Sequence, residues 1–97
     1  MITSKQRSYL KSLANGIDPV VYIGKGGLTE NILKEMDQCL EARELIKLTV
    51  LETSPMKARE CADEVAKATE SDVVQVIGSK FILYKQSKDN KQIVLVK

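Results

Sequence analysis

Between Pro19 and Glu52 the chain changes its apolar period twice. "PVVYI" (19–23) is a short, nearly continuous apolar run rich in β-branched residues, and "GKGGLT" (24–29) breaks it. From Thr29 to Arg43, Ile32, Leu33, Met36, Cys39 and Leu40 follow the i, i+3, i+4 spacing of a packed helix face. "ELIKLTVLE" (44–52) then alternates, with Ile46, Leu48 and Val50 pointing one way and Lys47 and Thr49 the other. A strand, a helix and a strand so closely joined form a β-α-β unit, which prefers a parallel, right-handed crossover. The chain is thereby confined to folds in which helices pack on a sheet. Thr29 is placed to cap the helix, and Glu30 suits the positive end of its dipole. The unbroken run at 19–23 predicts burial on both faces, as in a central strand.

The flanking segments extend this unit. A first helix is expected over about residues 4–15, with Ile2, Tyr9, Leu10 and Leu13 on its apolar face and Arg7 and Lys11 on the opposite side. Asn15-Gly16 ends it, with Gly16 suited to the position just past the cap. Ser54 and Pro55 read as N-cap and first residue of a third helix, whose slim stripe is Ala58, Cys61, Ala62, Val65 and Thr69. "VVQVI" (73–77) and "FILYK" (81–85) are strands joined by a tight hairpin at Gly78-Ser79. "SKDNK" is a turn, and "QIVLV" (92–96) is either a short edge strand or an extended tail. The expected class is α/β (α+β) in the order α-β-α-β-α-β-β, a mixed four-stranded sheet packed with three helices.

Composition bounds the chemistry. A chain of 97 residues, 43% hydrophobic and 29% charged, fits one globular domain over 1–97. No apolar run approaches a membrane span, and the N-terminus lacks the unbroken apolar stretch of a signal peptide, so a cytoplasmic protein with no membrane partner is expected. There is no histidine, and the two cysteines, Cys39 and Cys61, fall inside helical patterns. Histidine-bearing zinc sites are excluded, one chain cannot build a four-cysteine site, and both thiols read as small buried hydrophobes. No metal, cofactor or small-molecule substrate is expected. Without a nucleophile–base pair, and with Asp63-Glu64 read as the wet side of the third helix, no enzyme is expected either.

The net charge of +2 hides a polarised chain. Residues 1–27 carry Lys5, Arg7, Lys11 and Lys25 against Asp18 alone. Residues 28–72 carry six basic and eleven acidic side chains, and residues 73–97 five basic and one acidic. Basic ends and an acidic middle suggest one positive and one negative face, with chance clustering of ordinary surface charge as the competing explanation.

The glycine loop fits neither common nucleotide motif. A Walker loop needs lysine after its last glycine, but Lys25 precedes Gly26 and Gly27. The dinucleotide fingerprint fails where Thr29 stands for glycine. A third pattern, G-x-x-G, matches Gly24-Lys25-Gly26-Gly27. Such a loop clamps the backbone of single-stranded nucleic acid in KH domains: absent side chains let backbone N–H groups meet phosphate, and the following helix N-terminus adds donors. The alternative is a tight strand-to-helix turn that needs two positive φ angles. Arg7 and Lys11 either join the loop in one phosphate-contacting surface or form an ordinary solvated helix face.

The motifs "IGKGGLT", "ELIK" and "VVQVIGSKFILYK", in this order and at these distances, resemble the CRM domain, named for chloroplast RNA splicing and ribosome maturation, and in particular its bacterial single-domain, YhbY-like form. The resemblance spans nearly the whole chain. Arg43 departs from it, where the family often has histidine, as does "TSP" (53–55), where many members are more acidic. The resemblance implies a fold similar to the C-terminal domain of translation initiation factor three, and RNA binding through Gly24, Lys25, Gly26 and Gly27. Arg7, Lys11 and Lys47 are added from the face argument as well, although Lys47 can equally be the polar residue of an alternating strand. It further implies association with ribosomal RNA in precursors of the large subunit. The expectation is therefore a monomeric, non-catalytic RNA-binding protein of ribosome assembly. The alternative is a protein-interaction adaptor that uses the acidic middle, with a purely structural glycine loop. One phenylalanine and three tyrosines leave little for extensive base stacking.

Overall fold

The computed structural model describes residues 2–95. Seven elements follow one another: α1 (Ser4–Ala14), β1 (Pro19–Ile23), α2 (Glu30–Arg43), β2 (Leu45–Val50), α3 (Ala58–Thr69), β3 (Asp72–Ile77) and β4 (Lys80–Tyr84). The strands form one sheet in the order β1-β2-β4-β3, with β1 parallel to β2 and β4 antiparallel to both its neighbours. The class is the expected α+β one: three helices on a mixed four-stranded sheet.

The sheet divides two cores. On one side α2 and α3 bury Met36, Leu40, Cys61 and Val65 against Ile23, Ile46, Leu48, Phe81 and Leu83. On the other, α1 buries Leu10 and Ala14 against Leu45, Val74, Ile82 and Tyr84. The alternation of β2 explains the split: Ile46, Leu48 and Val50 enter the first core, Leu45 the second. The slim stripe of α3 is buried throughout, Ala58, Cys61, Ala62, Val65 and Thr69 alike.

Local chemistry sets the helix starts. Thr3 caps α1: its Oγ1 accepts from the Gln6 amide, and the Gln6 side chain accepts from the Thr3 amide. Thr29 caps α2 by accepting from the Ile32 amide at 3.2 Å. The third start differs from the expectation. Ser54 Oγ bonds both the amide and the carbonyl of Met56, so residues 54–56 form a turn. Helix α3 begins only at Ala58, after Lys57, which makes no side-chain cap bond.

Two further expectations are corrected, one on β1 and one on α1. β1 is an edge strand, and its Tyr22 is 57% exposed, so the apolar run marks one buried face and not two. Tyr9 and Leu13 are each 37% exposed, since Leu10 and Ala14 carry the buried line of α1. Gly16 stands just past the Asn15 cap, as expected, and needs no positive φ there because Asn15 closes α1 in a right-handed conformation. Of the two readings of the C-terminal run, residues 92–95 take the tail: they form no strand, Ile93 and Leu95 pack on the α1 core, and residue 96 lies outside the described residues.

Two glutamates fix that tail. Glu44, with φ +66° at the end of α2, is fully buried. Its carboxylate accepts the amides of Ser87, Gln92 and Ile93. Glu41 accepts the Ser87 hydroxyl and the amides of Lys88 and Asp89. Burial pushes the Glu44 pKa up, but the amide bonds outweigh it and leave a net lowering. Amide and hydroxyl bonds hold the Glu41 pKa down to about 2. Two of the acidic side chains of the middle segment therefore face inward onto their own chain.

Candidate nucleic-acid interface

The loop after β1 is a tight turn in which the Gly27 amide donates to the Gly24 carbonyl at 2.9 Å. Lys25 and Gly26 occupy its exposed corners. The three glycines have different physical reasons. Gly27 is buried with φ +66°, and an added Cβ would meet Pro55 Cγ at 3.2 Å. At Gly24 an added Cβ would lie 3.4 Å from Leu51 Cδ1. These two seat the loop on the segment linking β2 to α3. Gly26 differs: its φ is not positive, and nothing lies within 4 Å of where a Cβ would be. The turn thus needs one positive φ, not two, and among the described residues nothing requires glycine at its tip. Beyond it, the first-turn amides of α2 point outward at the positive end of the helix.

The helical basic pair is not on the opposite side from the apolar face of α1. Arg7 and Lys11 are half-buried, on the flank beside Leu10 and Ala14. The other flank is taken by the tail: Ile2 and Gln6 share a cleft with Ile93, Val94 and Leu95, and Leu13 shares one with Gln92 and Ile93. The tail is tied to Glu44 at the start of β2, so Arg7 and Lys11 face the far end of the sheet, where the glycine loop emerges. Lys47 points to this same side of the sheet, in register with Ile82. Among the described residues, ion pairs engage Arg59 and Lys85, but not Arg7, Lys11, Lys25 or Lys47.

Other chemistry is sparse. Burial raises the thiol pKa of both cysteines; at Cys39, Glu35 adds to the rise, and at Cys61, Glu60 adds to it. Cys61 is fully buried and Cys39 partly so. Among the described residues no three Cys, Asp or Glu side chains are grouped to hold a metal ion, and no helix is long and apolar enough to cross a membrane.

The model of the CRS1 / YhbY (CRM) domain family matches residues 2–85. The chain belongs to this family. The CRM domain here is 43% identical over 95 residues to a Bacillus subtilis protein named "Probable RNA-binding protein YqeI", covering 98% of this chain and 99% of that one. It is 34% identical over 90 residues to a Haemophilus influenzae protein named "RNA-binding protein", covering 93% and 91% of the two chains. The solution structure of Staphylococcus aureus SAV1595 matches with a TM-score of 0.82 and 50% identity, over 99% of this chain and 100% of that one.

The sequence reading of this CRM domain missed one group. Strand register lines up Tyr22, Thr49, Lys80 and Ile77 across all four strands, on the α1 side and beyond the helix. The phase of "VVYI" was the available signal: Val21 and Ile23 enter the α2–α3 core, so Tyr22 must point away from it.

Proposed function

We propose that this CRM domain binds RNA without catalysis. The phosphate backbone crosses the Gly24–Gly27 loop, and Arg7, Lys11, Lys25 and Lys47 supply cations around it. The observation that carries this reading is Gly26. Glycine is costly to order, and here neither φ nor a neighbouring atom demands it. A bare, exposed corner beside Lys25 and a helix N-terminus is what close approach of a phosphate requires. The names of the relatives support RNA as the ligand.

The finer reading is a monomeric, cytoplasmic assembly factor on ribosomal RNA in precursors of the large subunit. The adaptor alternative loses ground because the Glu41 and Glu44 carboxylates are occupied by their own tail. Anisotropy titration of a labelled single-stranded RNA tests the loop. Gly26→Asp should abolish binding with little change in melting temperature. A folded Gly26→Asp protein that binds as the parent does would overturn the proposal. Crosslinking in cells followed by sequencing of the bound RNA tests the ribosomal partner.

A further inference from the structure

The sheet face beside the glycine loop carries two large, exposed hydrophobic side chains in one register line. Tyr22 on edge strand β1 and Ile77 on edge strand β3 are each 57% exposed. Between them stand Thr49 and Lys80, paired Tyr22↔Thr49, Thr49↔Lys80 and Ile77↔Lys80. Directly paired residues share a face, so the four form a line of about 14 Å, three interstrand spacings. Helix α1 stops short of it: Leu45, Ile82 and Tyr84 are covered, whereas Tyr22, Lys80 and Ile77 are not.

The chemistry of this line selects an occupant. Lys80 lies in it and Lys47 in the next row, and neither row contains a carboxylate. Tyr22 stands three residues before Lys25, where the loop begins to turn. Its hydroxyl has no partner among the described residues, so its ring is not held to the fold by a polar anchor. Thr49 Oγ1 is shielded and also without a partner. Two exposed apolar side chains with Lys80 between them and Lys47 in the next row, continuous with the Gly24–Gly27 loop, match an unpaired nucleotide: a flat base on the ring and a phosphate toward lysine.

We propose that the Tyr22 ring stacks one unpaired base of a single-stranded RNA whose backbone continues from the Gly24–Gly27 loop, with Lys80 meeting the next phosphate along the sheet. This rests on the phosphate reading of the loop and adds strand selectivity to it. Phosphates are offered by duplex and single strand alike, but only an unpaired base can lie on Tyr22. Stacking tolerates any base, so the preference is for unpaired structure and not for sequence.

The test uses the full chain, a fluorescein-labelled 12-nucleotide single-stranded RNA and a duplex of the same sequence. Tyr22→Ala should weaken single-strand binding about 5- to 150-fold, the effect of losing one stacked base. Duplex binding and the salt slope should not change, because no phosphate contact is lost. Tyr22→Phe should restore the parent affinity. Since the chain has no tryptophan, tyrosine emission is directly readable: single strand should quench it in the parent and less in Tyr22→Ala. Thermal melts check that the variants fold. If Tyr22→Ala binds single strands as the parent does while Lys25→Glu is weakened, stacking is wrong and the phosphate reading stands. If neither variant is weakened, both fail. A dimer in sedimentation that Tyr22→Ala dissolves would overturn the proposal in favour of self-association.

Discussion

The Glu44 carboxylate accepts the backbone N–H of Ile93 at 2.7 Å, across 49 residues of sequence. With Glu41 it makes the tail part of the fold, and it makes stability depend on pH. Both carboxyl groups titrate below their ordinary value in the folded protein, Glu41 at about 2 against 4.5. A lowered folded pKa contributes stability that is fully present above the unfolded pKa and is lost as pH falls through the folded one. The melting temperature should therefore fall between about pH 4.5 and pH 2. Glu41→Gln should be less stable than the parent at pH 7 and should lose less on acidification. Glu44→Gln, at a fully buried site, should cost about 1–3 kcal/mol by weakening the bonds to three tail amides. Thermal melts across pH, with hydrogen exchange at Ser87 and Ile93, measure both effects.

Gly26 and Gly27 should separate function from fold. Gly27→Ala places a side chain at φ +66° and against Pro55, and should cost about 1–2 kcal/mol. For a domain of this size that lowers the melting temperature by about 4–16 °C. Gly26→Ala meets open space, and should melt within about 2–4 °C of the parent, the effect of an ordinary surface substitution. Its RNA affinity should nonetheless fall. Calorimetry paired with anisotropy reads the two variants, and equal melting losses at the two positions would contradict the division of roles.

Binding should be dominated by phosphate. Contact with four to six phosphates gives a slope of log affinity against log salt of about −3 to −5. Lys25→Glu should weaken all sequences alike and make the slope shallower by about 1. Arg7→Gln and Lys11→Gln should do the same to a smaller degree, since both side chains are half-buried on the flank of α1. A flat salt response in the parent would remove the electrostatic basis of the interface.

Both cysteines should prove structural. Cys61 is packed in the α2–α3 core, its thiol donating weakly to the Met56 carbonyl at 3.7 Å, so Cys61→Ala should cost about 1–2 kcal/mol. Cys39→Ala should cost less, because that side chain is only partly buried. RNA affinity of the folded variants should match the parent. A thiol reagent should label Cys39 slowly and Cys61 only on unfolding, since burial raises both thiol pKa values.

Much of the fold was legible because it is local. The period of apolar residues marked every helix and strand, Thr29 announced the start of α2, and Gly78, with φ +57°, announced the hairpin. Start signals failed where a competing local bond won, as when Ser54 closed a turn with Met56 instead of capping α3. Family membership was legible too, because motifs in order at fixed distances survive in the chain itself.

The sequence by itself determined the elements, the β-α-β unit over residues 19–50 and the glycine-bearing corner at Lys25. Tertiary structure alone decided that β1 lies at an edge, since a β-branched run looks the same whether one or both of its faces are covered. It decided that Arg7 and Lys11 flank the buried line of α1, because the tail fills the other flank. It also aligned Tyr22, Thr49, Lys80 and Ile77, four residues spread over 59 positions of chain. The physical reason is common to all three. Caps and periodicity act over three or four residues, whereas strand order, register and the seating of a tail are set by which distant surfaces exclude water together.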